Sequence, residues 1–334
     1  MNDSDFQVTV IIVTWNSARH IGRCLGSIEK QSVRPFDVIV VDNGSTDETL
    51  RIVEAQRGLN LKVQGLKVNT GFAAANNLGV RMARGEWVAL LNADAFPAED
   101  WIEQLRAAQR AHPDVSCFAS RLIMAERTDV LDGEGDAYHP SGLAWRQNHG
   151  EPVASAPRVQ GDSFSACAAA ALFERQAFLA VGGFDEDYFA YFEDVDVGFR
   201  LRLQGRECLY VPEAVVHHVG SASTGRRSDL AVHYGTRNLI WTYWKDMPAP
   251  QVWLWLPVHI CMVAALLAMH TGRGQAKPAF AAVWAALRGL PAILGKRKIV
   301  QAQVEVPPQT VFARMAHGLG PLRRALRIRN RLPA

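Results

Sequence analysis

Short apolar runs alternate with helical patterns along the first hundred residues, and this alternation limits the possible folds more than any other feature of the sequence. Residues 8–13, 37–41 and 87–91 are almost continuously apolar, which is typical of strands buried on both faces of a parallel sheet. A further strand is predicted near 61–68, and stretches with apolar residues at helical spacing separate the four runs. Strands and helices in such alternation predict an α/β fold with right-handed crossovers.

Three of these predicted strands end abruptly on polar residues, in segments 14–17, 42–47 and 92–94. Because the carboxyl ends of parallel strands lie at one edge of a sheet, where ligands collect, we expect the three segments to form one site. Asp94 could hold a hard cation such as Mg²⁺ together with a phosphate, or it could begin a turn before Pro97 and cap the next helix; the spacing leaves both interpretations open. The chain has neither a Gly-x-Gly-x-x-Gly motif nor a P-loop, which disfavours dinucleotide-binding and P-loop enzymes.

Capping and turn residues set the predicted limits of the elements between these strands. Ser45 and Glu48 fit a capping box for the second helix, and the third helix is expected to run through Met82 with Gly85 as its stop. The later elements are predicted as a helix at 99–111, a strand at 115–119, irregular Gly- and Pro-rich loops over the site at 121–159, and a buried strand at 165–173.

A second group of acids begins a predicted helix at 193–205. Glu193 and Asp194 stand in its first turn, where the helix dipole stabilises negative charge, and an ionised carboxylate is what a general base requires. Acids are common in first turns for structural reasons, so the pattern alone favours an ordinary helix start. A surface for stacking a sugar ring is suggested by the neighbouring aromatic residues, which are Tyr188, Phe189, Tyr191 and Phe192.

Imidazole and basic side chains follow that helix. After a predicted strand at 208–211, His217 and His218 are adjacent in a segment interpreted as an exposed loop, and only one of them can face the site if the backbone is extended. The side chains available beyond them to neutralise phosphate are Arg226, Arg227, Arg237 and Asn238.

Charge is distributed unevenly along the chain. From Thr271 onward, 12 Lys and Arg stand against one acid, a net of +11, so the first 270 residues carry −8 within an overall charge of +3. A basic tail suggests an anionic partner, and interleaved apolar segments favour a membrane surface over nucleic acid. The apolar runs 252–269 and 278–294 are interrupted by proline, histidine and arginine. One spanning helix, interfacial helices and a buried helical pair are all possible, and we expect interfacial helices.

The five cysteines are scattered without paired spacing, which argues against a disulfide framework or a zinc site and for a reducing cytosol. The apolar run at 8–13 is too short for a signal peptide, and two aspartates precede it.

Seven short motifs occur in one order between residues 7 and 245. They are VIIVTWN at 10–16, VDNGSTD at 41–47, NTGFAAANN at 69–77, LNAD at 91–94, GGFDE at 182–186, FEDVD at 192–196 and HVGS at 218–221. In this ordered set the chain resembles glycosyltransferase family 2, inverting enzymes of the GT-A fold, and in particular its rhamnosyltransferase-like branch. The resemblance implies a Rossmann-like, mainly parallel α/β sheet. It also implies a catalytic domain over 1–245, with a nucleotide-sugar part of about 1–119 and an acceptor part of about 160–245, and a helical, membrane-associating tail over 246–334.

The resemblance also implies roles for individual residues. Asp194 would be the catalytic base, with Glu193 beside it. Asp94 would hold Mg²⁺ or Mn²⁺ as the second acid of the family's Asp-x-Asp motif, and His218 would be a metal or diphosphate ligand. Asn92 departs from the motif by replacing its first acid, so metal use is expected while ligation by Asn92 itself stays open. The implied nucleotide-sugar-binding residues are Thr14, Asn16, Asp42, Asn43, Asn69, Gly71, Asn76, Asn92, Ala93, Asp94 and Arg237.

The implied reaction is the inverting transfer of a sugar, rhamnose favoured, from a dTDP- or UDP-sugar to a hydroxyl of a lipid-linked saccharide in bacterial cell-surface polysaccharide synthesis. The implied place is the cytoplasmic face of the inner membrane, and no nucleic-acid partner is expected. A sugar-1-phosphate nucleotidyltransferase is a competing hypothesis. Such an enzyme requires a Gly-rich loop with Arg and Lys after the first strand, and segment 14–17 contains none of these residues. A non-catalytic nucleotide-sugar-binding module is another, against which the intact pair of Glu193 and Asp194 argues.

Overall fold

The protein is described by a computed structural model that covers residues 7–33, 36–156, 158–220, 228–320 and 322. Its strands are β1 (Val8–Thr14), β2 (Asp37–Asp42), β3 (Leu61–Gly65), β4 (Trp87–Asn92), β5 (Ala95–Pro97), β6 (Cys117–Met124), β7 (Arg127–Gly133), β8 (Asp136–Tyr138), β9 (Ala144–Arg146), β10 (Gly161–Asp162), β11 (Ala170–Glu174) and β12 (Cys208–His218). Its α-helices are α1 (Ile21–Glu29), α2 (Thr49–Ala55), α3 (Phe72–Met82), α4 (Trp101–Ala111), α5 (Arg175–Ala180), α6 (Glu193–Leu203), α7 (Asp229–Asp246), α8 (Gln251–Leu254), α9 (Leu256–Gly272), α10 (Ala276–Ala302) and α11 (Pro308–Ala313).

Ten strands form one mixed sheet in the order β10-β12-β6-β11-β4-β1-β2-β3, with β5 beside β12 and β7 beside β6, which confirms the predicted α/β class; β8 and β9 form a separate two-stranded sheet. Strands β4, β1, β2 and β3 are parallel neighbours, as the alternation of strands and helices predicts. Strand β11 enters antiparallel between β4 and β6, and β12 then lies parallel to β6. The polar ends of β1, β2 and β4 therefore open at one edge, as expected for parallel strands.

Helices cover both faces of this sheet, which explains why the strand sequences are continuously apolar. Side chains of a strand alternate between faces, so Val10 and Ile12 pack with α1 and α4 while Ile11 packs with α3 and α5. Trp101 of α4 and Phe178 of α5 are fully buried anchors of the two layers. The sheet is thus a rigid platform whose one open edge holds the polar loops.

Local contacts overturn the predicted start of the second helix and confirm the predicted end of the third. The capping box is wrong, because Asp47 Oδ1 accepts from the Thr49 N–H at 3.0 Å and from its hydroxyl at 2.5 Å. The Ser45 hydroxyl instead donates to Asp42 Oδ1 at 2.5 Å. Helix α3 ends at Met82, as predicted, and its C-cap residue is Ala83, so Gly85 lies beyond the helix end. A Cβ on Gly85 would lie 2.7 Å from the carbonyl oxygen of Gln7, so close backbone packing favours glycine there.

The interpretation of 121–159 as irregular loops is wrong. This segment contains the end of β6 together with β7, β8 and β9. Strand β7 pairs with β6, and β8 pairs with β9. Cross-strand partners stabilise these short strands, and such partners leave only a weak signal in a sequence rich in glycine and proline.

The interpretation of His217 and His218 as loop residues is also wrong. Strand β12 passes Pro212 by a register shift between Val211 and Val215 and continues to His218. Proline lacks an N–H donor and is accommodated at such irregularities, so a strand end predicted at residue 211 came too early.

The C-terminal helices pack on α7 and share its core. Tyr243 of α7 clusters with Val252 and Val300, and Leu239 clusters with Leu266 and Ile293. The apolar run 252–269 is divided, because α8 ends at Leu254 and α9 then extends over 17 residues. In the described part of the chain, α10 is long and apolar enough to cross a membrane, by length and composition only. The expected interfacial location stays a prediction.

Candidate active site

A cavity of about 940 Å³ opens at the carboxyl ends of β1, β2 and β4. Its walls also include β9, the start of α6 and the end of β12, so distant parts of the chain meet there. The predicted site residues that line it are Asn16, Asn43, Asn69, Asn92, Ala93, Asp94, Glu193, Asp194 and His218.

The remaining predicted residues stand behind this lining and build it. Asp42 Oδ1 accepts from the Thr14 hydroxyl at 2.9 Å, and its Oδ2 accepts from the Ser45 N–H at 3.1 Å, which ties β1 to the loop after β2. The Asn76 amide donates to the Phe72 carbonyl at 2.9 Å within α3. Base recognition by Asp42 and donor contact by Asn76 stay predictions.

Gly71 brings the loop before α3 against the aromatic segment before α6. Its φ is +90°, and a Cβ there would lie 2.6 Å from the Phe189 ring. Asn43 fixes the same loop, since its amide donates to Asn69 Oδ1 at 3.0 Å and to the Gly71 carbonyl at 3.1 Å. The two halves of the chain are therefore in contact at this end of the cavity.

Asp94 and His218 face each other across the floor of the cavity. His218 Nε2 lies 3.4 Å from Asp94 Oδ1 and 3.4 Å from the Asn92 amide nitrogen. On its other side, His218 Nδ1 lies 2.7 Å from Asp132 Oδ2. Burial lowers the pKa of His218, but its hydrogen bonds to Asp132 and Asp94 outweigh burial and raise that pKa to about 9.

Asp132 orients this histidine, and the sequence analysis did not identify it. Burial favours its protonated form, but the charge of Arg146 and hydrogen bonds from His149 and His218 hold the Asp132 pKa well below its usual range. An ionised Asp132 accepts the Nδ1–H of His218 and turns Nε2 toward Asp94. In an extended strand the alternating acids at 132, 134 and 136 share one face, which is the signal that could have identified them.

The donor set fits a divalent cation that is shared with a substrate. Within the described ranges, no group of three or more His, Cys, Asp or Glu could hold a metal ion. Asp94 and His218 supply one oxygen and one nitrogen, and Mg²⁺-type sites commonly complete their shell with substrate phosphates. The arrangement therefore fits a cation that enters with a nucleoside diphosphate better than a permanently bound one.

Three further carboxyl groups line the cavity, those of the buried Asp136 and Glu193 and of the partly exposed Asp194. Burial and the nearby charge of Asp194 raise the pKa of Asp136 and of Glu193 well above the usual range. Burial also raises the pKa of Asp194, but N–H groups of Ala168 and Val195 and the charge of Arg146 oppose this rise. Of the three carboxyl groups, that of Asp194 is the best supported in its ionised form.

The aromatic segment before α6 has a strained backbone. Phe189, Tyr191 and Phe192 have φ values of +64°, +71° and +70°, a region that side chains other than glycine disfavour. These three aromatic residues line the cavity, as expected for the predicted sugar-stacking surface, whereas Tyr188 is fully buried behind them.

Asn238 of α7 holds this segment in place. Its amide donates to the carbonyls of Tyr188, Ala190 and Tyr191 at 3.0, 3.0 and 2.7 Å. Arg237 donates to the Tyr188 carbonyl at 3.0 Å and stacks 4.1 Å from the Trp241 ring.

Arg237 is not among the residues that line the cavity, so its predicted role in phosphate binding has no support in this geometry. His217 is half-buried beside the fully engaged His218. Arg226 and Arg227 lie outside the described residues.

A mixed α/β sheet with a cavity at its parallel strand ends, faced by an acidic helix start, defines a glycosyltransferase of the GT-A type. The model of the family described as Glycosyl transferase family 2 matches residues 9–181. The chain therefore belongs to glycosyltransferase family 2. Membership of this family contradicts the hypothesis of a nucleotidyltransferase and favours an enzyme over a non-catalytic module.

Known proteins agree with this assignment. An N-acetylglucosaminyl-diphospho-decaprenol L-rhamnosyltransferase of Mycobacterium tuberculosis is 35% identical over 255 residues, which span 67% of this chain and 80% of the relative. Among solved structures, GalNAc-T7 with UDP, GalNAc and Mn²⁺ has a TM-score of 0.59 at 18% identity, over 73% of this chain and about half (49%) of that chain. A mannosyltransferase of Pyrobaculum calidifontis with GDP-Man and Mn²⁺ has a TM-score of 0.54 at 21% identity, over 90% of this chain and 87% of that chain.

Proposed function

We propose that the protein transfers rhamnose, with inversion, from a dTDP- or UDP-sugar to a hydroxyl of a lipid-linked saccharide. The observation that carries this proposal is the cavity itself, which is lined by the adjacent Asp94 and His218 and also by Asp194. The name of the mycobacterial relative supports both the sugar and the diphospho-lipid acceptor.

The chemistry needs one proton acceptor and a stabilised leaving group. The ionised Asp194 takes the proton of the acceptor hydroxyl, whose oxygen forms a bond to the anomeric carbon as the bond from that carbon to the diphosphate oxygen breaks. Attack opposite the leaving group inverts the configuration. A divalent cation, when bound by Asp94 and His218, would neutralise charge on the departing nucleoside diphosphate. The Mn²⁺ in two structural neighbours supports this use of a metal.

The tail supports action at the cytoplasmic face of the inner membrane. Large apolar side chains are exposed on α8 and α10, including Trp253, Trp284 and Leu287. Residues 247–304 contain no Asp or Glu but several Lys and Arg. Apolar and basic side chains on one helical region are typical of a peripheral membrane surface that favours anionic lipid.

A donor and acceptor panel tests this proposal. Release of nucleoside diphosphate would be measured for dTDP-rhamnose, UDP-N-acetylglucosamine and GDP-mannose, each with a lipid-linked N-acetylglucosamine acceptor and with a soluble glycoside. We expect the dTDP-rhamnose and lipid-linked pair to be fastest, with loss of activity in chelator. Preference for another donor would contradict rhamnose as the transferred sugar. Equal use of the soluble glycoside would contradict a lipid-linked saccharide as the acceptor.

A further inference from the structure

The cavity extends beyond the carboxyl groups into the C-terminal helices. This extension, called the tail arm here, lies between the first turns of α7 and the turn that joins α9 to α10. The residues that line it are Leu230, Ala231, Val232, Gly235, Thr236, Met269, His270, Arg273 and Gln275. The tail therefore contributes directly to the wall of the site.

The lining of the tail arm differs chemically from the centre of the cavity. The centre has the carboxyl groups of Asp94, Asp136, Glu193 and Asp194, whereas none of the nine described residues of the arm is acidic. The polar groups of the arm are one guanidinium, one imidazole, one amide and one hydroxyl, all of which can donate hydrogen bonds. The Gln275 amide donates to Asp229 Oδ1 at 3.2 Å, so the basic groups that line the arm are those of Arg273 and His270. An anionic group is favoured in such surroundings, next to an apolar group that contacts Leu230, Val232 and Met269.

Gly235 keeps the tail arm open. It lies within the long helix α7, where glycine is less favourable than alanine. A Cβ at this position would meet no atom within 4 Å, so the protein interior does not require the glycine. Gly235 therefore leaves space in the wall of the tail arm and makes α7 less stable than alanine would. This is consistent with a ligand that occupies the arm.

The tail arm leads toward the exposed apolar face of α10. Phe280, Trp284 and Leu287 are 58%, 64% and 55% exposed at helical spacing, and Phe280 lies about one turn from the start of the helix. Arg273 stands in the turn just before that helix. A ligand with an anionic head and an apolar chain would match this arrangement, with its head at Arg273 and its chain along the apolar face of α10.

We propose that the tail arm binds the diphosphate of an isoprenoid-diphosphate-linked acceptor, with Arg273 as its principal cation. This inference rests on the proposed function, which places the acceptor sugar at Asp194. The diphosphate lies on the side of that sugar away from the attacked bond, and the isoprenoid chain follows α10 to the lipid. The arm thereby selects lipid-linked over free saccharides.

Binding of farnesyl diphosphate, with farnesol as the uncharged comparison, tests the tail arm independently of sugar transfer. The purified full-length protein would be titrated with each compound in the presence of UDP and Mn²⁺, so that the donor end is occupied. We expect farnesyl diphosphate to bind more tightly than farnesol, and Arg273→Gln to weaken it about tenfold or more, since hydrogen bonds to charged groups are strong. Arg288→Gln is the matched control, because it removes an exposed charge from α10 outside the cavity.

Variants of Gly235 separate the shape of the arm from its charge. Gly235→Leu should fill the arm and weaken farnesyl diphosphate binding, whereas Gly235→Ala should retain it and raise the thermal midpoint. Donor affinity, measured with UDP, should be unchanged in both variants. In the transfer assay, Arg273→Gln should raise KM for the lipid-linked acceptor without lowering kcat.

Two results would overturn the inference. Equal affinity of the wild type for farnesyl diphosphate and farnesol would exclude a diphosphate subsite. Equal losses of farnesyl diphosphate affinity in Arg273→Gln and Arg288→Gln would show that binding depends on the overall charge of the tail and not on the arm. Failure of the proposed function looks different, since farnesyl diphosphate would bind through Arg273 while no rhamnosyl transfer occurs.

Discussion

At the scale of single residues, protonation distinguishes carboxyl groups that look alike in the sequence. Glu193 and Asp194 are adjacent first-turn acids, yet Glu193 Oε2 is buried with no hydrogen-bond partner among the described residues. Asp194 accepts N–H groups of Ala168 at 3.3 Å and of Val195 at 2.9 Å. Donors to the charged form favour ionisation, so Asp194 is the proposed base, whereas burial raises the pKa of Glu193 and favours its protonated form.

Replacement of Asp194 by Asn should lower turnover by about a hundredfold or more, because the amide keeps the shape and removes the basicity. Donor affinity should be nearly unchanged. In the wild type, activity should fall as the pH falls through the raised Asp194 pKa, placing the acid limb of kcat above the ordinary aspartate value of roughly 3.9. The measurement is kcat against pH for both proteins, and near-normal turnover of the variant would reject the assignment.

Asn238 is a positioning residue, since it acts on the site through the backbone of the aromatic segment. Asn238→Ala removes the one amide group that donates to three carbonyls of a strained segment, so the aromatic wall and the start of α6 should lose their fixed geometry. We expect kcat to fall while donor affinity is kept. Thr242→Val is a control on the same helix, because among the described residues the Thr242 hydroxyl is hydrogen-bonded to the buried side chain of Tyr188, at 3.1 Å, and not to the backbone of the segment. Parallel losses of kcat in both variants would indicate a general destabilisation of α7.

At the scale of elements, the strand β7 positions a residue of the distant strand β12. Both pair with β6, on opposite sides, and this places Asp132 beside His218. The segment predicted as loops therefore forms the support of the proposed metal ligand. Metal ligands depend on such supporting hydrogen bonds, which fix the tautomer and the ring orientation of a histidine.

Asp132→Asn should weaken Mn²⁺ binding in the presence of UDP by about 10- to 100-fold, because the Nδ1–H of His218 loses its charged acceptor. Electron paramagnetic resonance of Mn²⁺ measures this binding without turnover. Asp129→Asn is the control, since it removes an exposed carboxylate from the same strand β7. Unchanged Mn²⁺ affinity in Asp132→Asn would contradict the proposal that His218 is a metal ligand supported by Asp132.

At the scale of the whole molecule, the tail and the catalytic sheet are joined by buried charge. Lys245 of α7 lies 2.7 Å from Asp185 and also pairs with Asp196 of the helix α6 that carries the base. Lys296 of α10 binds the same Asp185 and lies 2.7 Å from Asp187. Truncation of the tail would expose shared core and remove one of these cations, so the domain boundary at residue 245 stays a prediction.

Membrane attachment is best tested in the full chain with surface variants. Wild-type protein should sediment with anionic vesicles, and salt should weaken but not abolish this, since each basic residue near the surface adds about 1 kcal/mol and apolar side chains insert as well. Trp284→Ser with Leu287→Ser should reduce sedimentation, whereas Val68→Ser, an equally exposed apolar position outside the tail, should not. Absence of sedimentation with any vesicle would reject the membrane surface, and resistance of native attachment to carbonate would indicate that α10 spans.

The α/β class, the edge of the sheet that carries the site and the acidic start of α6 could be predicted from residue patterns alone. Buried strands and helices have different periods, and parallel strands place their polar ends together, so neighbouring residues suffice for these conclusions. Family motifs added the candidate roles of Asp94, Asp194 and His218. Nine of the predicted site residues do line the cavity.

Only the tertiary structure decided the pairing of β7, the support of His218 by Asp132, the engagement of Arg237 with the aromatic segment, and the entry of Arg273 into the cavity wall. Each depends on contacts between distant residues, as with His218 and Asp132, which are 86 positions apart. Local sequence does not encode such contacts, because the hydrogen bonds and burial that hold them form only when the sheet brings both partners together.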